Sequence, residues 1–256
     1  MAAIAIDLKA TRKWWTFDAA MRQETVTFTA VAQRKLRAEG KQAAAAYERA
    51  GKDAALASIK DAEWRMYLIR VWSHVVPESG ALTADVLGAD VEKTRLETVA
   101  VAYLNRNAAA RGALIARTSR RNVERSISEG ERLQDSPERM RRRIIADAEA
   151  TSAWRSKTIG STEVSAAAGF GSLTAAIESR HPLVKIWYGP RSAHITCDQH
   201  KTVRGQRRGL RDAFSVRQDY EPDLGEDRMM YPGDGEQGAR ASNVINCRCW
   251  MDFLRE

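Results

Sequence analysis

Two of the six prolines in this 256-residue chain, Pro77 and Pro137, fall within residues 1–178. A stretch that long, rich in Ala, Arg, Glu and Leu and so poor in helix breakers, has few folds open to it besides packed helices. Residues 1–50 open with Trp14, Trp15 and Phe17 and continue into an Ala-rich helix, with breaks expected at Gly40 and Gly51. Thr25 to Thr29 alternates like a strand, but its neighbours favour helix. Asp53 to Val76 reads as a strong helix: Leu56, Ile59, Met66, Ile69 and Trp72 recur at helical spacing, and Trp64, Leu68 and Val75 widen the face. Its end is expected at Pro77-Glu78-Ser79-Gly80, with His74 as a core or capping residue. A further helix is expected from about Asp90 to Arg125. Ser136-Pro137-Glu138 starts another, with Ser as cap, Pro at the first helical position and Glu near the positive helix end.

The texture changes near residue 183. Leu183 to Tyr188 is a β-type run closed by Gly189-Pro190, and Cys249 to Leu254 alternates like a final strand. The expected fold is α+β: a mostly helical N-terminal two-thirds, then a small loop-rich α+β module with short antiparallel strands.

Hydrophobic residues make up 44% of the chain, enough for one large domain or two small ones. No stretch reaches the ~20 apolar residues of a membrane span. Met1 to Leu8 lacks a basic lead and carries Asp7, so it does not read as a secretory signal, and assembly in the cytoplasm is expected. Lys and Arg outnumber Asp and Glu by 41 to 33, a net charge of +8. Residues 106–143 hold eleven Arg against five acidic residues. Such a face can approach DNA, through Arg117, Arg120, Arg121, Arg141, Arg142 and Arg143, and equally serves as a solvated helix surface.

The three cysteines, Cys197, Cys247 and Cys249, all lie in the last quarter. Cys197-x-x-His200 and Cys247-x-Cys249 both have chelating spacing: two intervening residues can turn both side chains to one point, and residues i and i+2 of an extended segment share a face. Thiolate and imidazole suit zinc, which takes four ligands in a closed structural site. Packing of small apolar thiols, or a disulfide from Cys197 to the second pair, also fits the residues. Arg248 should point away from the two cysteines, towards Glu163 or Asp234, and Asn246 suits a turn. Pro232-Gly233-Asp234 reads as a turn and not as a phosphate loop.

In order and spacing these elements resemble the Mu F-like head-morphogenesis proteins of tailed bacteriophages. The resemblance covers roughly residues 115–256: Trp187 on a strand, the Cys197-x-x-His200 pair, Gly205 five residues on, Tyr231-Pro232-Gly233-Asp234, and the closing Asn246-Cys247-Arg248-Cys249. Thr158 to Val164 is similar to the family's helical "IARTEV" segment. Three features depart from the pattern: the Cys/His pair is a hybrid, Arg204 stands where an acidic residue is usual, and Gly160 replaces Ala. His194, in the alternative register Arg191-x-x-His194, has no glycine five residues later, and His181 is expected in a surface loop.

The resemblance implies two domains, a helical region 1–114 that engages the portal and a head-morphogenesis domain 115–256 (helices 115–178, β-rich module 183–256). It implies a structural minor head protein inside the virion near the portal, assembled in the host cytoplasm and acting in head assembly and DNA packaging or ejection. The expected partners are the portal protein, packaged double-stranded DNA, and major capsid or scaffolding protein. The expected cofactor is structural zinc on Cys197, His200, Cys247 and Cys249. The alternative is a zinc-stabilised DNA-binding protein acting outside the capsid. An enzyme is not expected. Cys197 and His200 can be read as nucleophile and base, but no carboxylate cluster accompanies them.

Overall fold

A computed structural model describes residues 8–189, 200, 202–217 and 225–255, with side chains from Thr16 onward. Four long helices come first: α1 (Leu8–Ser58), α2 (Asp61–Leu87), α3 (Lys93–Arg132) and α4 (Pro137–Glu178). Then follow β1 (Leu183–Tyr188), β2 (Arg207–Gly209), β3 (Phe214–Arg217), β4 (Glu226–Met229), the one-turn helix α5 (Ala241–Val244) and β5 (Trp250–Arg255). The expected α+β architecture is the one observed. Among the described residues no helix is long and apolar enough to cross a membrane.

Some local expectations hold and others meet corrections. Thr25–Thr29 is helical, and α1 breaks at Ala50 and Gly51, where the φ/ψ angles leave the helical region. Gly40 is no break. A Cβ there would sit 2.3 Å from the Ala148 Cβ, so this glycine serves close approach of α1 and α4. Gly160 does the same against Thr29, whose Oγ1 would lie 2.4 Å from an added Cβ. The helix expected over 53–76 is divided at Lys60, and α2 then continues through Pro77 to Leu87. The proline ring removes one helical hydrogen bond. The helix persists because Trp72, Val75, Val76 and Ser79, on both sides of Pro77, are fully buried, and packing outweighs the lost bond. His74 is exposed and faces Glu24 at 3.2 Å, not the core. At the start of α4 the Arg139 N–H donates to Ser136 Oγ at 3.4 Å, the expected cap.

The chain forms two compact units that share these helices. The helical unit comprises Val26–Arg70 and Ala102–Gly160. Its core holds Phe28, Leu36, Trp64, Tyr67, Leu68, Ile127, Met140 and Ile144, with Trp64 set edge-on to Tyr67 at 5.5 Å. A buried polar net runs through it. Glu39 accepts from Trp64 Nε1 at 2.6 Å and from Ser119 Oγ at 2.9 Å, and Ser119 Oγ accepts from Arg155 Nη2 at 3.1 Å. Burial pushes the Glu39 carboxyl above its ordinary pKa against the pull of Ser119 and Lys35, and burial lowers that of Arg155.

The mixed unit comprises Met1–Thr25, Val71–Val101 and Ser161–Glu256. Its sheet has the order β2-β1-β5, all antiparallel, with Trp187 opposite Met251 and Tyr188 opposite Trp250, whose rings stack at 4.7 Å. A second ribbon pairs β3 with β4, Phe214 opposite Met229. The core between them gathers Trp187, Val203, Phe214, Val216, Met229, Tyr231, Cys247, Cys249 and Met251 against Leu173 of α4. Lys185 is buried among them. It donates to the carbonyls of Leu210 (3.2 Å) and Met230 (2.8 Å), and desolvation lowers its pKa to about 8.

Candidate metal centre

Glycine at position 205 sets the geometry of the site. Its φ of +79° is one that side chains with a Cβ rarely adopt. The turn it makes lets its N–H donate to the Trp187 carbonyl at 2.8 Å, while Trp187 N–H donates to Gln206 O at 3.1 Å. The segment from His200 to Gln206 is thereby tied to β1. The imidazole of His200, fully buried, meets the Trp187 ring edge-on at 5.5 Å.

The two cysteines arrive from the other side. Asn246 adopts a left-handed φ of 58°, its N–H donates to Thr162 Oγ1 at 3.0 Å, and its side-chain oxygen accepts from Ser161 Oγ at 3.4 Å. The expected turn at Asn246 is thus formed and tied to α4, through the segment singled out in the sequence. Cys247 and Cys249 then point inward, 1% and 7% exposed, and Arg248 points outward. Arg248 does not reach the acidic residues expected for it. Glu163 accepts from Trp72 Nε1 at 3.1 Å, and Asp234 accepts from the backbone N–H groups of Met230 and Glu236 at 2.7 and 2.8 Å.

His200, Cys247 and Cys249 come together, their nearest donor atoms all within 4.8 Å of one another. His200 Nδ1 lies 3.4 Å from Cys249 Sγ and 3.6 Å from Cys247 Sγ. Zinc–sulfur bonds of about 2.3 Å and zinc–nitrogen bonds of about 2.0–2.1 Å at a tetrahedral angle place N and S about 3.6 Å apart. The two N···S separations therefore match two edges of a zinc tetrahedron.

The other ring nitrogen fixes the tautomer. His200 Nε2 is 3.2 Å from Asn243 Oδ1, and Asn243 Nδ2 donates to Asp227 Oδ2 at 2.7 Å. The amide oxygen is thus the acceptor, and Nε2 carries the hydrogen. In neutral imidazole that makes Nδ1 the acceptor nitrogen, directed at two sulfurs. Asp227 is held by the Arg240 backbone N–H (2.8 Å) and Nε (2.9 Å). Burial works to raise the Asp227 pKa. The donors from Arg240 and Asn243 prevail and hold it below the ordinary carboxylate value. An imidazole ligand oriented through an amide to a fixed carboxylate is the outer layer that metal-binding histidines use.

Cys197 and His194 lie outside the described residues. The sequence did not single out Asn243, Asp227 or Arg240. Their role depends on α5 and β4 meeting His200, which no spacing announces. No family model, curated protein or solved structure matches the chain.

The six arginines expected on a nucleic-acid face fare unevenly. Arg120 pairs with Asp61, Arg141 with Glu48 at 3.6 Å, Arg142 with Glu138 at 3.6 Å and Arg143 with Asp135 at 2.8 Å. Arg117 and Arg121 are exposed and have no ion pair among the described residues.

Proposed function

We propose that this chain is a structural protein whose C-terminal module is closed by zinc, and that it serves as a minor head protein of the Mu F-like type in a tailed bacteriophage. The observation that carries the metal reading is the lone pair of His200 Nδ1, which faces Cys247 and Cys249 at tetrahedral-edge distances while Nε2 is fixed by Asn243. Cys197 supplies the fourth ligand. It stands three residues before His200, and three residues span at most about 10 Å. Four protein ligands leave no open position, so the ion acts in folding and not in catalysis.

The head-protein reading rests on the ordered motif. Its pieces each serve the same module: Trp187 and Gly205 seat His200, and Asn246 ties the Cys-x-Cys segment to Thr162 of α4. In this reading the helical part engages the portal, capsid or scaffolding protein is a further partner, and the protein resides in the virion. Contact with packaged DNA falls on Arg117 and Arg121, because the other four arginines are neutralised in ion pairs. The test is mass spectrometry of purified particles with crosslinking to the portal. Crosslinks from residues of this chain to portal support the reading, and a chain missing from particles sinks it. Tight, steeply salt-dependent binding of free DNA by the isolated chain would instead favour a DNA-binding role outside the capsid.

A further inference from the structure

The helical unit holds a cleft of about 630 Å³ between α1, α3 and α4, remote in chemistry from the thiol site. That volume lies within the range of small-molecule sites, roughly 300–1,000 Å³. Leu36, Ile59, Val123, Ile144 and Ala148 contribute apolar wall. Consecutive residues of α4 supply the remaining chemistry. Trp154 lines the cleft yet is 59% exposed, while Arg155 also lines it and is 7% exposed.

The guanidinium of Arg155 is under-used. Its bond to Ser119 Oγ is its one hydrogen bond among the described residues, and a guanidinium has five N–H donors. A buried cation with unmet donors is costly unless something pairs with it. The nearby Glu39 carboxylate offsets part of its charge but accepts none of its N–H groups. Both oxygens of Glu39 are taken, by Trp64 and Ser119, and Ser119 stands between Glu39 and Arg155. The remaining N–H groups of Arg155 can be met from the cleft. At the rim, Arg121 and Arg125 carry no ion pair among the described residues, whereas Glu129 is tied to Arg132. An anion entering here meets net positive charge, a buried fork of donors and an exposed aromatic face.

We propose that this cleft is a binding site for a flat apolar molecule carrying one oxyanion, with the ring against Trp154 and the oxyanion on Arg155. The oxyanion can be a carboxylate or a phosphate, since the planar guanidinium accepts both in bidentate fashion. Calorimetric titration of the full chain with 2-naphthoate, 2-naphthyl phosphate and neutral 2-naphthylmethanol tests it. At least one anionic probe binds at one site about tenfold or more tighter than the neutral probe, and the tighter anion names the oxyanion class. Arg155→Gln removes that preference, while affinity for the neutral probe holds. Should Arg155→Gln fail to fold by circular dichroism, the exposed Trp154→Ala decides, with about a fivefold loss of affinity for both classes of probe. Absence of saturable binding by either anion, an unchanged preference in Arg155→Gln, or unchanged affinity in Trp154→Ala overturns the proposal.

Discussion

The two units solve the same problem, a buried polar group, in opposite ways. In the helical unit Glu39 accepts from Trp64 and Ser119, so an acceptor meets donors supplied by the protein. In the mixed unit Arg240 and Asn243 donate to Asp227, His200 Nε2 donates to Asn243, and His200 Nδ1 faces two sulfurs. The Glu39 end of the first net is closed by protein alone. In the reading proposed above, a cation completes the second. The difference follows from core size. Long helices with many buried aromatics supply donors and apolar area in quantity. A module of three- to six-residue strands has a thin core and gains most from a cross-link.

The largest effect is expected where the comparison is sharpest. His200→Ala or Cys249→Ala removes a ligand, and the module from residue 183 onward loses protease resistance. The loss is on the order of several kcal/mol of folding free energy, while the helical unit stays protected. Equal protection of both regions in limited proteolysis would erase the contrast. Next comes Glu39→Ala, which orphans the buried Trp64 Nε1 and Arg155, and should cost about 2–4 kcal/mol by thermal or denaturant unfolding. Zinc addition should not restore that loss. If it does, the helical net also depends on metal.

Asn243→Ala leaves the three ligands in place but frees the imidazole to turn. Zinc affinity, measured by competition with a chromophoric chelator, should fall about 10- to 100-fold. An unchanged affinity would mean that the Asn243–Asp227 pair serves packing alone. The smallest effect concerns Lys185. Its folded pKa of about 8 lies below the ordinary 10.5. Below pH 8 both states hold the proton. Between 8 and 10.5 the unfolded chain holds it and the folded chain does not, so stability rises with pH across that window. From about pH 8 to about pH 9.5 the rise should be on the order of 1–2 kcal/mol in the metal-loaded protein and absent in Lys185→Met.

How much was legible follows from the range of the interactions. Helices and strands were readable because periodicity and the Ser136-Pro137 cap act within a few residues. The error at Pro77 arose because the packing of Trp72, Val76 and Ser79 overrode a local rule. Gly40 looked like a breaker because the nearby Ala148 lies more than a hundred residues away in sequence. The Cys-x-Cys face and the turn at Asn246 were visible because two residues suffice to define them. Asn243 and Asp227 were invisible because each is an ordinary polar residue until α5 and β4 bring them to His200. The ion pairs within the basic stretch were invisible for the same reason: the acidic partners Asp61 and Glu48 of Arg120 and Arg141 lie in distant helices.

The most direct test of the central claim is the metal content of the full chain, purified under reducing conditions without chelator. Elemental analysis should find about one zinc per chain, and the thiols of Cys247 and Cys249 should react only after the ion is stripped. Less than about a tenth of a zinc per chain, in a protein whose thiols stay protected in the presence of chelator, would contradict the account and leave Cys247, Cys249 and His200 as packing alone.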